Sequence, residues 1–472
     1  MRILRRGLAG LLVVGILAVA GCGSGEPESG APKDAKGDGS ASGKPAKPVK
    51  TPELTAYQAP VKFTSEPVGD SFGRTGPLLT STLAGRFLFT MDIEGVQVRD
   101  VATGKPTGPQ LTPRNSVNRV FPDDYFRHTD REDDLAPYVL ERADGDPLVL
   151  VPYHVSKKGQ GTTASRHFVE LLVIDSGTGK LRTSLELPLS EGFRSGATAA
   201  RVVGAQDGTV AVSARVHAQR SSANEIRTTF GVDLGDPDRP RSVWEEPGFE
   251  AYAVAGGNAV GATPDAGLRY NVLTAVGMKD GETVWQDASH ERTANLNPEF
   301  QAQWVTPAGP DRIITTKVKG GLFASSSRLV LVDARTGKEK PVADKTRAVE
   351  CRYDEKSVVV CWRRPGATGG AHQVFALDAP SGELLWQLPD EAAGRVAPTV
   401  TAVRHGRVYA STGSGPVVLD ARGGEDIELQ PGVVPVAVNE YAALAAVRKT
   451  GSGSGSRAAG DLWEMTLHHA RG

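Results

Sequence analysis

From Leu78 onward the chain is written in short apolar runs, each broken by a few polar or small residues before the next begins. Within the runs, apolar and polar positions tend to alternate with the period of two expected of a β-strand, and the 3.6-residue period of an amphipathic helix is absent. The stretch 399–403, 407–411, 416–419 and 426–429 shows one complete set of four such runs. One punctuation recurs: a strand, an Asp, two or three small or polar residues, a Gly, and another strand. It reads Asp100-Val101-Ala102-Thr103-Gly104, Asp175-Ser176-Gly177-Thr178-Gly179, Asp333-Ala334-Arg335-Thr336-Gly337, Asp378-Ala379-Pro380-Ser381-Gly382 and Asp420-Ala421-Arg422-Gly423-Gly424. Two degraded copies add to these, one running from Asp233 to Trp244 and one keeping Gly281 and Trp285.

The spacing is that of a hairpin. An Asp carboxylate can accept backbone N–H groups just downstream, a Thr or Ser hydroxyl can assist it, and Gly supplies the positive φ at which the chain reverses. These residues are expected to make turns and need no catalytic explanation. Four short antiparallel strands per unit, with units of about 40–60 residues repeated around a ring, predict an all-β chain folded as a β-propeller. Seven punctuations are visible. After the last, 433–438, 441–447 and 462–467 supply three more strands, and Val61–Thr64, ahead of the first complete unit, is expected to supply the fourth by pairing the two chain ends. The expectation is eight blades, with seven as the alternative if the unit ending at Trp244 is an insertion.

The punctuation resembles the pyrroloquinoline-quinone-type propeller repeat, whose fuller form is Ala-x-Asp-x-x-x-Gly-x-x-x-Trp. Ala376, Asp378, Gly382 and Trp386 match it, and Trp285 stands at the same offset after Gly281. The resemblance implies that Trp285 and Trp386 dock one blade on the next. It also raises a quinoprotein dehydrogenase holding pyrroloquinoline quinone and Ca²⁺. That chemistry uses a disulfide between neighbouring Cys and a calcium site of Glu, Asn and Asp, and neither pattern occurs here, so no cofactor is expected. Lipid anchor and repeat together look like the propeller lipoprotein of the outer-membrane barrel assembly machinery.

The lipid anchor is read from the N-terminus. Arg2, Arg5 and Arg6 precede an uncharged apolar stretch from Leu8 to Ala20, too short for a comfortable membrane span. It ends in Val19-Ala20-Gly21-Cys22, which resembles a bacterial lipobox. Residues 1–21 are therefore expected to be a lipoprotein signal peptide, and the Cys22 thiol to carry a palmitate-type lipid. Residues 22–57 hold the lipidated Cys and a Gly/Ser/Pro/Lys-rich linker that cannot bury a core, and 58–472 form the propeller. The expected location is the outer face of the cell membrane. Arg5-Arg6 leaves the export route open.

Composition narrows function mainly by exclusion. With 39% hydrophobic and 23% charged residues the chain is of ordinary globular make-up, and its formal net charge of −1 offers no basic field for nucleic acid. Beyond Cys22 there are two Cys, Cys351 and Cys361, flanking a polar turn and a Val-rich strand. An antiparallel hairpin would bring them together as a disulfide, or leave two buried thiols if the register is wrong. The acidic stretch Asp123, Asp124, Asp130, Glu132, Asp133 and Asp134 lacks the spacing of a calcium loop and reads as a solvated insertion. The His468-His469 pair lacks zinc-site spacing, and alternation points the two rings to opposite faces. No nucleophile elbow, phosphate loop or zincin helix occurs. The expectation is a monomeric, non-enzymatic module binding a protein or polymer of the cell envelope, with no catalytic residues and no metal. A small-molecule or sugar sensor using the funnel of the ring is the alternative.

Overall fold

The computed structural model describes residues 54–75, 80–92, 94–117, 136–190, 197–217, 226–264, 271–287, 292–293, 305–319, 326–344, 349–363, 372–449 and 462–472. These lie in the unit that runs from Thr51 to Gly472. Cys22 and the acidic stretch 123–134 fall outside the described residues.

Eight antiparallel sheets form, and they are the blades of a β-propeller. Blade 1 is built from Ser81–Ala84, Phe87–Met91 and Val96–Asp100, with single bridges from Pro106 and Leu111 along its outer edge. Blade 3 comprises Ala197–Gln206, Thr209–His217, Ile226–Asp233 and Arg241–Pro247. The degraded unit ending at Trp244 is thus a full blade, which settles the count at eight. Blade 4 runs Glu250–Ala255, Asn258–Pro264, Asn271–Gly277 and Thr283–Gln286. Blade 6 runs Val349–Tyr353, Val358–Arg363, Gln373–Asp378 and Leu384–Leu388, and blade 7 runs Thr399–Arg404, Arg407–Thr412, Gly415–Asp420 and Asp426–Glu428.

Blades 2 and 5 have divided inner strands. In blade 2, Ser116–Val117 and Tyr138–Leu140 both pair with Leu148–Lys157, which continues to Arg166–Asp175 and Lys180–Pro188. In blade 5, Arg292–Thr293 and Thr306–Pro307 both pair with Arg312–Lys319, followed by Ser326–Asp333 and Glu339–Asp344.

The long apolar runs follow from burial on both faces. In Leu148–Lys157, Val149, Val151, Tyr153 and Val155 pack toward blade 1, while Leu148 and Leu150 pack toward blade 3. A period of two thus sorts side chains between two neighbours instead of between core and solvent. Each of eight apolar clusters joins one pair of successive blades. Blade 8 is built from Pro435–Val438, Ala442–Lys449 and Leu462–His469 with Phe72–Thr75, and its Leu444, Met465 and Leu467 pack with Leu83, Leu88 and Val101 of blade 1, so the ring is closed.

Closure differs in detail from the expectation. The strand that completes blade 8 is Phe72–Thr75, paired with Leu462–His469, and not Val61–Thr64. Phe63 makes a single bridge to Ala470 farther along the same edge, and Val68 donates to the carbonyl of Leu467 between them. The entering segment therefore follows the whole outer edge of the last strand with two departures from register. Tyr409 Oη donates to the carbonyl of Pro60 at 2.7 Å, and Val61 and Lys62 N–H both donate to Gly472. His468 and His469 take part: one ring contacts the Thr64 carbonyl through Nδ1 at 2.7 Å, the other the Val101 carbonyl through Nε2 at 2.9 Å.

Candidate functional site

The punctuating residues make one repeated structure. The Asp175 carboxylate accepts the N–H and Oγ1–H of Thr178, Asp333 those of Thr336, Asp378 those of Ser381, and Asp100 those of Thr103. Asp420 accepts the N–H groups of Arg422 and Gly423. Four residues on, Gly104, Gly179, Gly337, Gly382 and Gly424 all have φ between 68° and 77° and donate N–H back to the carbonyl of the Asp. These contacts hold the carboxyls of Asp333 and Asp378 below their ordinary range: for Asp333 burial opposes the shift and the bonds from Thr336 and Arg335 outweigh it, and for Asp378 the Ser381 hydroxyl leads.

The turns also receive the neighbouring blade. The Nε1 of Trp285 donates to the carbonyl of Ala334 and that of Trp386 to the carbonyl of Ala421, each at 2.8 Å. The rings lie over Gly337 and Gly424, where an added Cβ would come within 2.9 and 2.7 Å of indole carbons. A third docking Trp was legible only as the end of a degraded unit: Trp244 donates to the carbonyl of Met278 and covers Gly281. Its offset is obscured because its own unit lacks the regular Asp-to-Gly turn. Where no Trp stands, Val98 covers Gly179 and Val342 covers Gly382.

On the ring axis lies a channel of about 960 Å³ lined by residues from all eight blades. In blades 1 to 7 the turn between the first and second strands lies at the same end as the turn that follows the third strand. At that mouth an arc of five successive blades carries charge of both signs: Glu355 of blade 6, Arg404 and His405 of blade 7, Glu440 of blade 8, Arg86 of blade 1, and Glu141 and Asp146 of blade 2. Glu355 pairs with His405 at 3.2 Å and with Arg404 at 3.8 Å. Both Glu355 and His405 hold positive φ, 63° and 45°, an uncommon state for residues other than glycine.

Deeper in the wall, Arg201 of blade 3 stacks on Tyr252 of blade 4, its Cζ 4.8 Å from the ring centre. Behind them Glu250 is buried among Arg201, Arg215 and Arg227 at 3.5, 3.5 and 3.6 Å, and it accepts a bond from Tyr252 Oη at 2.9 Å. Burial pushes the Glu250 carboxyl up, but Arg215, Arg201 and Arg227 together outweigh it and keep the group ionised. Burial, then the Glu250 charge, pushes the Tyr252 phenol well above its ordinary value. The Tyr252 hydroxyl is therefore neutral and held by Glu250, and the Arg201 guanidinium is fixed against the Tyr252 ring; both residues line the channel.

Cys351 and Cys361 lie directly opposite one another in blade 6, with Cα atoms 4.0 Å apart, and are joined as a disulfide. Cys351 lines the channel. Among the described residues no group of three or more His, Cys, Asp or Glu is arranged to hold a metal ion, and no helix is long and apolar enough to cross a membrane.

No family model and no curated protein matches the sequence. Solved structures with a similar fold include BamB from Moraxella catarrhalis, at 13% identity and a TM-score of 0.39, covering 87% of this chain and 100% of that one. A europium-containing methanol dehydrogenase aligns at 10% identity and a TM-score of 0.34, over 80% of this chain and 84% of the other. Dipeptidyl peptidase 4 from Porphyromonas gingivalis aligns at 11% identity and a TM-score of 0.37, over 86% of this chain and 64% of that one. These likenesses concern the fold alone. The expectation of a non-enzymatic chain is not upheld, since several of the similar structures are peptidases.

Proposed function

We propose that the protein is an extracytoplasmic, lipid-anchored β-propeller on the outer face of the cell membrane that binds an envelope protein at the mouth of its channel. The observation that carries this reading is the arc of five blades whose short turns set Arg86, Glu141, Asp146, Glu355, Arg404, His405 and Glu440 around one opening. Charges of both signs on a rigid frame select a partner by complementarity more than by hydrophobic area. The Cys351–Cys361 disulfide fits an oxidising compartment, and the lipobox-like Val19-Ala20-Gly21-Cys22 fits attachment there.

The test is photo-crosslinking in intact cells from position 355 or 441 at the mouth, with position 284 on an exposed outer strand as control. A discrete protein adduct from the mouth alone, abolished by Arg404→Glu, supports the reading. Equal labelling from position 284, or none from the mouth, contradicts it.

A second reading, a small-molecule or sugar sensor, is favoured by the stacked Arg201–Tyr252 pair and by Tyr138 and Tyr441 in a channel of ligand-sized volume. Under that reading Tyr252→Ala abolishes ligand binding while adducts at the mouth persist.

A further inference from the structure

Away from the channel, blade 2 brings two histidines together near the far end of its second and third strands. His154 sits on Leu148–Lys157 opposite Val169, and His167 sits on Arg166–Asp175 opposite Ser156. Opposite residues share a face and so do residues two apart, so the rings are diagonal neighbours on one side of the sheet. His154 is buried at 7% exposure, whereas His167 is half-buried.

We propose that His154 and His167 form a two-histidine site for a divalent transition-metal ion of the Cu²⁺ or Zn²⁺ class.

The ring geometry carries this. Two imidazoles each bound at about 2.0–2.1 Å to one tetrahedral ion set their nitrogens about 3.3 Å apart and their ring centres about 5.2 Å apart. His154 Nε2 and His167 Nδ1 are 3.3 Å apart and the ring centres 5.3 Å apart, which matches an ion seated between the rings.

One further feature agrees. A cavity of about 460 Å³, lined by His167 with Thr163, Ser165 and Ser190, adjoins the His167 side of the pair and gives water access there. Imidazole donors suit copper, zinc and nickel and exclude the oxygen-seeking calcium and magnesium.

The test uses the full mature chain, stripped with chelator and titrated with Cu²⁺ and Zn²⁺ by calorimetry, with electron paramagnetic resonance of the copper form. The expected result is one equivalent bound, nitrogen coupling from two imidazoles, and at least a tenfold weaker affinity in His167→Gln and in His154→Gln. His167→Gln changes a half-buried side chain and decides the matter should His154→Gln fail to fold. Undiminished copper affinity in a folded His167→Gln, or a loss confined to the control His405→Gln, overturns the proposal.

Discussion

The indole Nε1 of Trp386 donates to the carbonyl oxygen of Ala421 across the boundary between blades 6 and 7, and the ring covers Gly424. This contact joins the two halves of the repeat: the Gly that permits the turn is also the platform on which the preceding blade rests. At Gly424 the backbone has φ of 77°, and a Cβ there would meet the indole at 2.7 Å. Gly424→Ala is expected to destabilise the protein by about 2 kcal/mol or more, from backbone conformation and overlap together. Trp386→Ala should cost about 3 kcal/mol. The double variant should cost clearly less than the sum of the singles, as read by denaturant unfolding, because the two share one contact.

Lys317 of blade 5 is buried and ion-paired with Asp287 of blade 4 and with Glu339 of its own blade. Lys317→Met leaves two carboxylates together in a poorly hydrated interface, and a loss of about 3–5 kcal/mol is expected. Adding Asp287→Asn and Glu339→Gln should recover much of that loss. Equilibrium unfolding of the single and triple variants measures both effects.

Stability should fall with acid through a window set by His154. Its pKa is 6.5 unperturbed and about 4 in the fold, so folding favours the neutral ring. That contribution is complete above pH 6.5 and is lost as pH falls from 6.5 to 4, because the unfolded chain takes up a proton that the folded one refuses. The difference amounts to roughly 3 kcal/mol. His468, lowered mainly by burial, acts in the same direction. Melting temperature followed from pH 7.5 to 4 should decline in this window, and more gently in His154→Gln.

The blade 6 disulfide closes a short loop, its Cys residues being 10 apart in sequence. Chain entropy assigns such a link roughly 2–3 kcal/mol. Thiol labelling without reductant should find both Cys blocked, and Cys351→Ala/Cys361→Ala should melt lower than the oxidised protein by a margin that reductant abolishes.

Much of the fold was legible because the repeat is local. Asp, Thr or Ser, and Gly at fixed offsets dictate a turn wherever they stand, and the Val- and Leu-rich runs between them need no distant information. Closure was less legible. Val61–Thr64 reads as a strand by its alternation, but Phe72–Thr75, with a Gly and an Arg within it, holds the paired position because the last strand continues to Leu462 and its edge must be covered there. The channel was invisible for a different reason. Arg201, Tyr252, Glu355 and His405 are single residues on separate blades, brought together by the ring and by no spacing in the chain. The His154–His167 pair was hidden likewise, since 13 residues separate two rings that only strand register makes neighbours.

Removing the entering segment should open the ring. A chain beginning at Leu78 lacks the partner of Leu462–His469 and the Pro60 carbonyl that Tyr409 binds, and it exposes a long sheet edge. It is expected to aggregate and to unfold without a sharp transition, whereas Tyr409→Phe in the full chain should cost only about 1 kcal/mol.

The most direct measurement concerns the shared blade. Ser71 and Glu464 touch through their side chains although 393 residues separate them. In Ser71→Cys/Glu464→Cys, a short thiol-to-thiol crosslinker should join the two positions within one molecule in high yield, giving faster migration on a denaturing gel and a higher melting temperature. Failure to crosslink in the folded protein, or links formed only between molecules, would contradict a ring closed by its two chain ends.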